Sequence, residues 1–136
     1  QGPTGTVRTL DPGVRDMVER RIGEVASSIA KAYGGSAETD YGRMYPVTLN
    51  HAHQAGIAAE IARDVVGADR VNDNLVPVMG AEDFAFMLEA RPGAFVFLGM
   101  GDGPMCHHPA YKFNDNILGH GASYWVRLVE KQMPAG

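Results

Sequence analysis

The chain is 136 residues long, the usual size of one domain, and its apolar and charged fractions are those of an ordinary globular protein. A net charge of −4 without a basic block argues against a nucleic-acid partner. No apolar run approaches the roughly 20 residues that span a membrane, no signal peptide is visible, and a single cysteine excludes an internal disulfide, which fits a cytoplasmic, reducing location.

The start, Gln1-Gly-Pro-Thr4, lacks a methionine and reads as a scar or a cut end. Gly5 to Leu10 carries β-formers (Thr6, Val7, Thr9) and reads as a strand. Asp11-Pro12 then opens a helix, with aspartate as N-cap and proline at the first helical position. Val14, Val18, Ile22, Val25, Ile29 and Tyr33 recur at three or four residues, an apolar stripe expected to pack on a sheet. Gly34-Gly35 stops this helix. Ala37 to Tyr45 reads as a second strand, which could pair antiparallel with the first, and a domain boundary is expected near 46–50.

Asn50 is expected to cap a second helix, His51 to Val66, with Ile57, Ala58, Ile61, Ala62 and Val65 on its apolar face. His51 and His53 in its first turn point about 200° apart and cannot share a metal from there, so both read as exposed or capping residues. Gly67 closes the helix, and Arg70 to Met79 reads as a loop or a short strand. Glu82 and Asp83 open a short helix with Phe84, Met87 and Leu88 on its apolar side. After the turn Arg91-Pro92-Gly93, the run Ala94 to Leu98 reads as a central strand buried on both faces. The last helix starts after Asn114-Asp115, with Ile117, Gly121, Trp125, Leu128 and Val129 on one face.

Candidate chemistry concentrates between Gly80 and Asp115. His107 and His108 lie in a Gly- and Pro-punctuated loop that leaves the apolar run. Adjacent imidazoles diverge, so one ligand with one neighbouring polar group is the metal reading. From spacing alone, loop hydrogen bonding is the stronger alternative. Glu82 and Asp83 read either as an acid/base pair or as helix N-terminal charge. Arg8 by itself reads as a surface arginine on a strand. Cys106 reads as a small buried hydrophobe.

Four motifs occur in order: Gly80-Ala-Glu-Asp-Phe84, Pro92-Gly-Ala-Phe-Val-Phe-Leu-Gly99, His107-His-Pro-Ala-Tyr-Lys-Phe-Asn-Asp115 and Gly119-His-Gly-Ala-Ser-Tyr-Trp125. Together they resemble the C-terminal part of the M20-type metal-dependent amidohydrolases, in particular the hippurate hydrolase branch. The resemblance extends upstream through Gly5-Thr-Val-Arg-Thr9 and Tyr45-Pro-Val-Thr-Leu-Asn50, and so covers nearly the whole chain. It implies an α/β fold with an α+β lid portion. Residues 1–48 would be the C-terminal half of the lid, or dimerisation, domain and its sheet; residues 49–136 would be the C-terminal segment of the catalytic α/β domain.

In that family a metal-activated water attacks the amide carbonyl of an N-acyl amino acid. Cobalt, manganese, nickel or zinc can serve, and the sequence does not choose among them. The first histidine of the family's His-x-Pro-x-aromatic motif is a metal ligand, which places that role on His107. The resemblance implies substrate contacts at Arg8, in the loop of Gly80, Glu82 and Asp83, and at His108. The family's general-base glutamate precedes these motifs, so no catalytic base is expected in this chain, which is expected to be inactive alone and to hold little or no metal. Lys112 replaces an expected acidic residue, and Gly119 stands where proline is typical and is expected to loosen the entry to the last helix. The implied partners are a small N-acyl amino acid and a second copy of the chain. The alternative reading is a non-catalytic, truncated module that pairs through its lid strands.

Overall fold

The computed structural model describes residues 2–134. Gln1, Ala135 and Gly136 lie outside the described residues, and with them the first residue of the expected cut end and the outer limits of the two expected segments. Four α-helices are present: α1 (Pro12–Ala32), α2 (Ala52–Val66), α3 (Phe84–Ala90) and α4 (Leu118–Gln132). Short 3-10 turns at Ala68–Arg70 and Asp115–Ile117 follow α2 and precede α4. The chain forms two compact units, residues 1–49 with 77–90, and residues 50–76 with 91–136.

The α/β expectation is overturned: among the described residues there is no strand, hence neither a lid sheet nor a central strand at Ala94–Leu98. The physical reason is that β-forming side chains state only a preference, whereas a strand exists only when a neighbour takes its N–H and C=O groups. Residues 5–10, 37–45 and 94–98 meet no such ladder. At Phe95 both groups are taken by a side chain instead: the N–H donates to Asn50 Oδ1 at 2.7 Å, and Asn50 Nδ2 donates to the carbonyl at 2.9 Å.

In the first unit the local signals of α1 are realised. Asp11 Oδ1 accepts the Val14 N–H at 2.8 Å and Pro12 occupies the first turn. At the other end the Gly35 N–H donates to Ala30 O at 2.9 Å and the Gly34 N–H to Lys31 O at 3.0 Å. This is a Schellman closure, and it needs the left-handed φ of +76° that Gly34 supplies. The apolar stripe is a different matter. With no sheet to cover it, Val14, Ile22, Val25 and Ile29 are exposed, and α1 has no buried residue. The neighbouring flank is half-covered instead, where the Arg43 guanidinium pairs with Asp16 and Glu19. In α3 the buried residues are Ala85 and Leu88, while Met87, expected on the apolar side, is exposed.

In the second unit α2 buries Ala58 and Ile61 and packs against α4. The half-buried positions of α4 are Gly121, Tyr124 and Leu128, at spacings of three and four. A Cβ on Gly121 would lie 3.3 Å from Leu98 Cδ2, so the missing side chain lets the 94–98 run approach the helix. Gly119 lies within the first turn of α4, with open space around it. At the far end Lys131 Nζ reaches Asp64 at 2.8 Å and Glu60 at 3.0 Å, both on α2. Asn50 does not cap α2: His51 is the N-cap residue and gives no side-chain cap, and the Asn50 amide is spent on Phe95.

Two outcomes follow from this packing. Ile61 is 1 % exposed and Ile29 is 56 % exposed. Ile61→Ala is expected to cost about 3 kcal/mol, and Ile29→Ala under about 0.5 kcal/mol, as measured by urea unfolding. The second concerns Lys131. The hydrogen bond from Lys131 holds the Asp64 carboxyl below its ordinary pKa, and bonds to Asp64 and then Glu60 raise that of Lys131. The Asp64 contribution is therefore present above its unfolded value and is lost as the pH falls through the lowered folded one. The Lys131 contribution is complete below its unfolded value and is lost as the pH rises through the raised one. The stability difference between the parent chain and Lys131→Met is expected to persist across neutral pH and to vanish at both extremes, as followed by unfolding at a series of pH values.

Candidate functional site

The 94–98 run is anchored at its start and feeds the histidine loop. Besides the Asn50–Phe95 pair, the His51 N–H donates to Gly93 O at 3.1 Å, and the Gly93 N–H donates to His51 Nδ1 at 3.2 Å. Accepting at Nδ1 puts the proton of the neutral His51 ring on Nε2. These bonds tie residues 93–95 to the two residues that lead into α2.

From Gly101 to Ala110 every residue is exposed. Cys106 is exposed with the rest, which corrects the expectation of a small buried hydrophobe: nothing in the unit packs over this loop. The chain turns at Gly101 (φ +89°) and again at His107 (φ +72°). His107 is the one non-glycine residue with positive φ among the described residues, a conformation uncommon for a side chain with a Cβ, though histidine is among the enriched types. The tip is held by local bonds: the His108 N–H to Met105 O at 3.1 Å, the Tyr111 N–H to His108 O at 2.9 Å, and the Ala110 N–H to His108 Nδ1 at 3.0 Å.

The two histidines therefore differ. His108 spends one ring nitrogen on the loop itself and keeps only Nε2 for anything else. The His107 imidazole makes no hydrogen bond among the described residues, and neither of the nearby loop carboxylates, Asp102 and Asp115, is bonded to it there. Sequence reasoning missed Asn114, although it stands in the Tyr-x-Phe-Asn-Asp motif. Its amide donates to Met100 O at 2.9 Å and accepts the Asn116 N–H at 3.1 Å. An asparagine directly before the last helix was the available signal, and it pointed only to a cap.

The other candidates lie in the first unit. Glu82 accepts the Phe84 N–H at 3.3 Å, a helix-end role, and Asp83 and Gly80 are exposed. Arg8 is exposed, and in the second unit Lys112 is too. The described residues of the chain contain no group of three or more His, Cys, Asp and Glu side chains able to hold a metal ion. A groove of about 350 Å³ in the second unit is lined by His53, Ile57, Val96, Tyr124, Trp125 and Leu128 among others, and none of the candidate residues borders it. Burial raises the Tyr124 phenol pKa there. No helix among the described residues is long and apolar enough to cross a membrane.

Comparison with known proteins supplies what the geometry alone does not. The chain is 31% identical to hippurate hydrolase of Campylobacter jejuni over 94% of its own length and 33% of that protein. It is 33% identical to N-acetylcysteine deacetylase of Bacillus subtilis, over 91% of its own length and 32% of that protein. To N-acetyldiaminopimelate deacetylase of a Geobacillus species it is 30% identical, over 92% and 33%. The chain thus spans about a third of the length of these curated relatives. No solved structure matches it. The family description "Peptidase family M20/M25/M40" matches residues 2–131, a stretch that contains Arg8, Gly80, Glu82, Asp83 and both loop histidines, and the chain belongs to that family.

Proposed function

We propose that this chain is a segment of a metal-dependent hydrolase that cleaves the amide bond of N-acyl amino acids, and that His107 supplies one ligand of its divalent ion. Members of the M20 family are generally metal-dependent. The relatives named above are a hippurate hydrolase and two deacetylases of N-acetylated amino acids, which supports the substrate class. The observation that carries the assignment to His107 is the contrast within the loop: its ring is unengaged, whereas His108 Nδ1 is occupied by Ala110. Pro109, with its fixed φ, stiffens the chain on the far side.

The chain's residues fit one ligand position and not a whole site. A divalent ion takes about four ligands, and no group of even three is present among the described residues. The ion would supply a water acidified for attack on the carbonyl. What this chain adds is binding: His107 as ligand, the free Nε2 edge of His108 toward the substrate, and Arg8 as a bidentate partner for the substrate carboxylate. Glu82 and Asp83 would border the substrate through the backbone of their loop, since the Glu82 carboxylate is already used at the start of α3. Residues 1–48 belong on this reading to the lid or dimerisation part, residues 49–136 to the catalytic part, and the enzyme to the cytoplasm.

A second reading, a non-catalytic module that self-associates, draws on the open apolar stripe of α1. Sedimentation of the pure chain at micromolar concentration is expected to show species larger than the monomer; a monomer alone removes this support. The hydrolase reading is tested by replacing the matching third of Campylobacter jejuni hippurate hydrolase with residues 2–131 of this chain. The chimera is expected to hydrolyse hippurate in a metal-dependent way. His107→Ala is expected to lose an ion and at least about a hundredfold in rate, and His108→Ala to keep its ions. An active chimera indifferent to His107→Ala, or one that loses an ion with His108→Ala instead, refutes the assignment.

A further inference from the structure

The loop that carries His107 has no packing to shape it, since residues 101–110 are all exposed. Its own hydrogen bonds, at Met105–His108, His108–Tyr111 and His108–Ala110, each span two or three residues. They fold the tip but do not join the loop to the unit. Among the described residues one hydrogen bond crosses its base, from Asn114 Nδ2 to Met100 O at 2.9 Å, between two half-buried residues. The other end of the same amide accepts the Asn116 N–H and caps the turn Asp115–Ile117 that runs into α4. One side chain thus ties the exit of the 94–98 run to the start of α4, with the whole loop strung between.

We propose that Asn114 is a positioning residue for His107: by closing the loop base it holds His107 in its left-handed backbone and so fixes where the imidazole stands. The importance of that placement for metal rests on the ligand reading above; the closure itself does not. A left-handed residue with a Cβ is disfavoured when free and persists only where surrounding contacts over-determine it. At this site those contacts are the tip bonds and the closing bond. The amide is the group suited to the task, because it donates and accepts at once. Aspartate at the same place keeps the acceptor, and is as good an N-cap, but sets a carboxylate oxygen against the Met100 carbonyl.

That difference provides the test, made on the full 136-residue chain labelled with ¹⁵N and ¹³C. Asn114→Asp is expected to keep the parent's circular dichroism and the amide protection of α4. In the same variant the His107 carbon shifts should leave the left-handed range, and the His108 and Tyr111 amides should exchange about tenfold faster, the effect of losing one ordinary hydrogen bond. Asn114→Leu, which removes both halves of the amide, should disturb the loop and the start of α4 together. In the hippurate hydrolase chimera described above, where the other ligands are supplied, zinc affinity is expected to be about tenfold weaker with Asn114→Asp. Three results in the chain itself overturn the proposal: a parent His107 outside the left-handed range, an Asn114→Asp loop indistinguishable from the parent, or loosening in Asn114→Asp only together with α4, the mark of a cap and nothing more. If the metal content of that chimera is indifferent to His107→Ala while Asn114→Asp still opens the loop of the chain, the ligand reading fails and the closure by Asn114 stands. Equal zinc affinity in the chimera with and without Asn114→Asp refutes positioning even where the loop exchanges faster.

Discussion

The side chain of Asn50 satisfies both peptide groups of Phe95, and the second unit is assembled on that pair. A half-buried N–H or C=O without a partner is costly, so a run such as 94–98 must find partners or remain in water. In a sheet the neighbouring strand provides them. Here a primary amide, which has the same donor and acceptor as a peptide group, stands in for one residue of such a neighbour. The His51–Gly93 bonds extend the attachment by one more step. The entry to α2 therefore grips the start of the apolar run, and α2 itself can turn Ala58 and Ile61 inward and meet α4.

The grip matters further along the chain because the run leads into the histidine loop. Residues 93–95 are fixed at one end by Asn50 and His51, and Met100 is fixed at the other by Asn114. The intervening side chains Val96, Phe97 and Leu98 are exposed to about half or more, so packing does little to hold this stretch. Its placement comes from amide side chains at its two ends. Such bonds are individually modest, roughly 1 kcal/mol each, but they are directional, and direction is what a loop with no apolar cover lacks.

Signals that act over three or four residues were legible in the sequence. Asp11-Pro12 opened α1, Gly34-Gly35 closed it in a Schellman turn, and Gly67 ended α2, because each is chemistry between neighbours in the chain. The resemblance of the ordered motifs placed the family, which the matches over residues 2–131 establish. What the sequence did not disclose is what depends on a second surface. The strands at 5–10, 37–45 and 94–98 needed a ladder, and burial of Cys106 needed cover. Asn50 was read as a cap because that is its local preference, yet its amide found Phe95, 45 positions away. Within the candidate site the histidine pair was visible, but the left-handed backbone of His107 and the occupied Nδ1 of His108 were not, since both arise from the closed shape of the loop.

The stripe on α1 shows where periodicity stops being informative. Val14, Val18, Ile22, Val25 and Ile29 do share a face, as their spacing requires. Yet the covered flank lies about 100° round the helix, at Arg15, Glu19, Ala26 and Ala30. Its features are small side chains that admit a close neighbour and carboxylates that Arg43 can reach: Thr39 Oγ1 stands 4.0 Å from where a Cβ on Gly23 would be, and the guanidinium spans Asp16 and Glu19. Exposed ion pairs are worth little in free energy, so Arg43 selects the flank more than it secures it. Apolar periodicity thus marks the face with most to gain from cover. Which face is covered depends on what the chain brings within reach, and in this unit the segment 39–43 brings Arg43 and Thr39 to that flank.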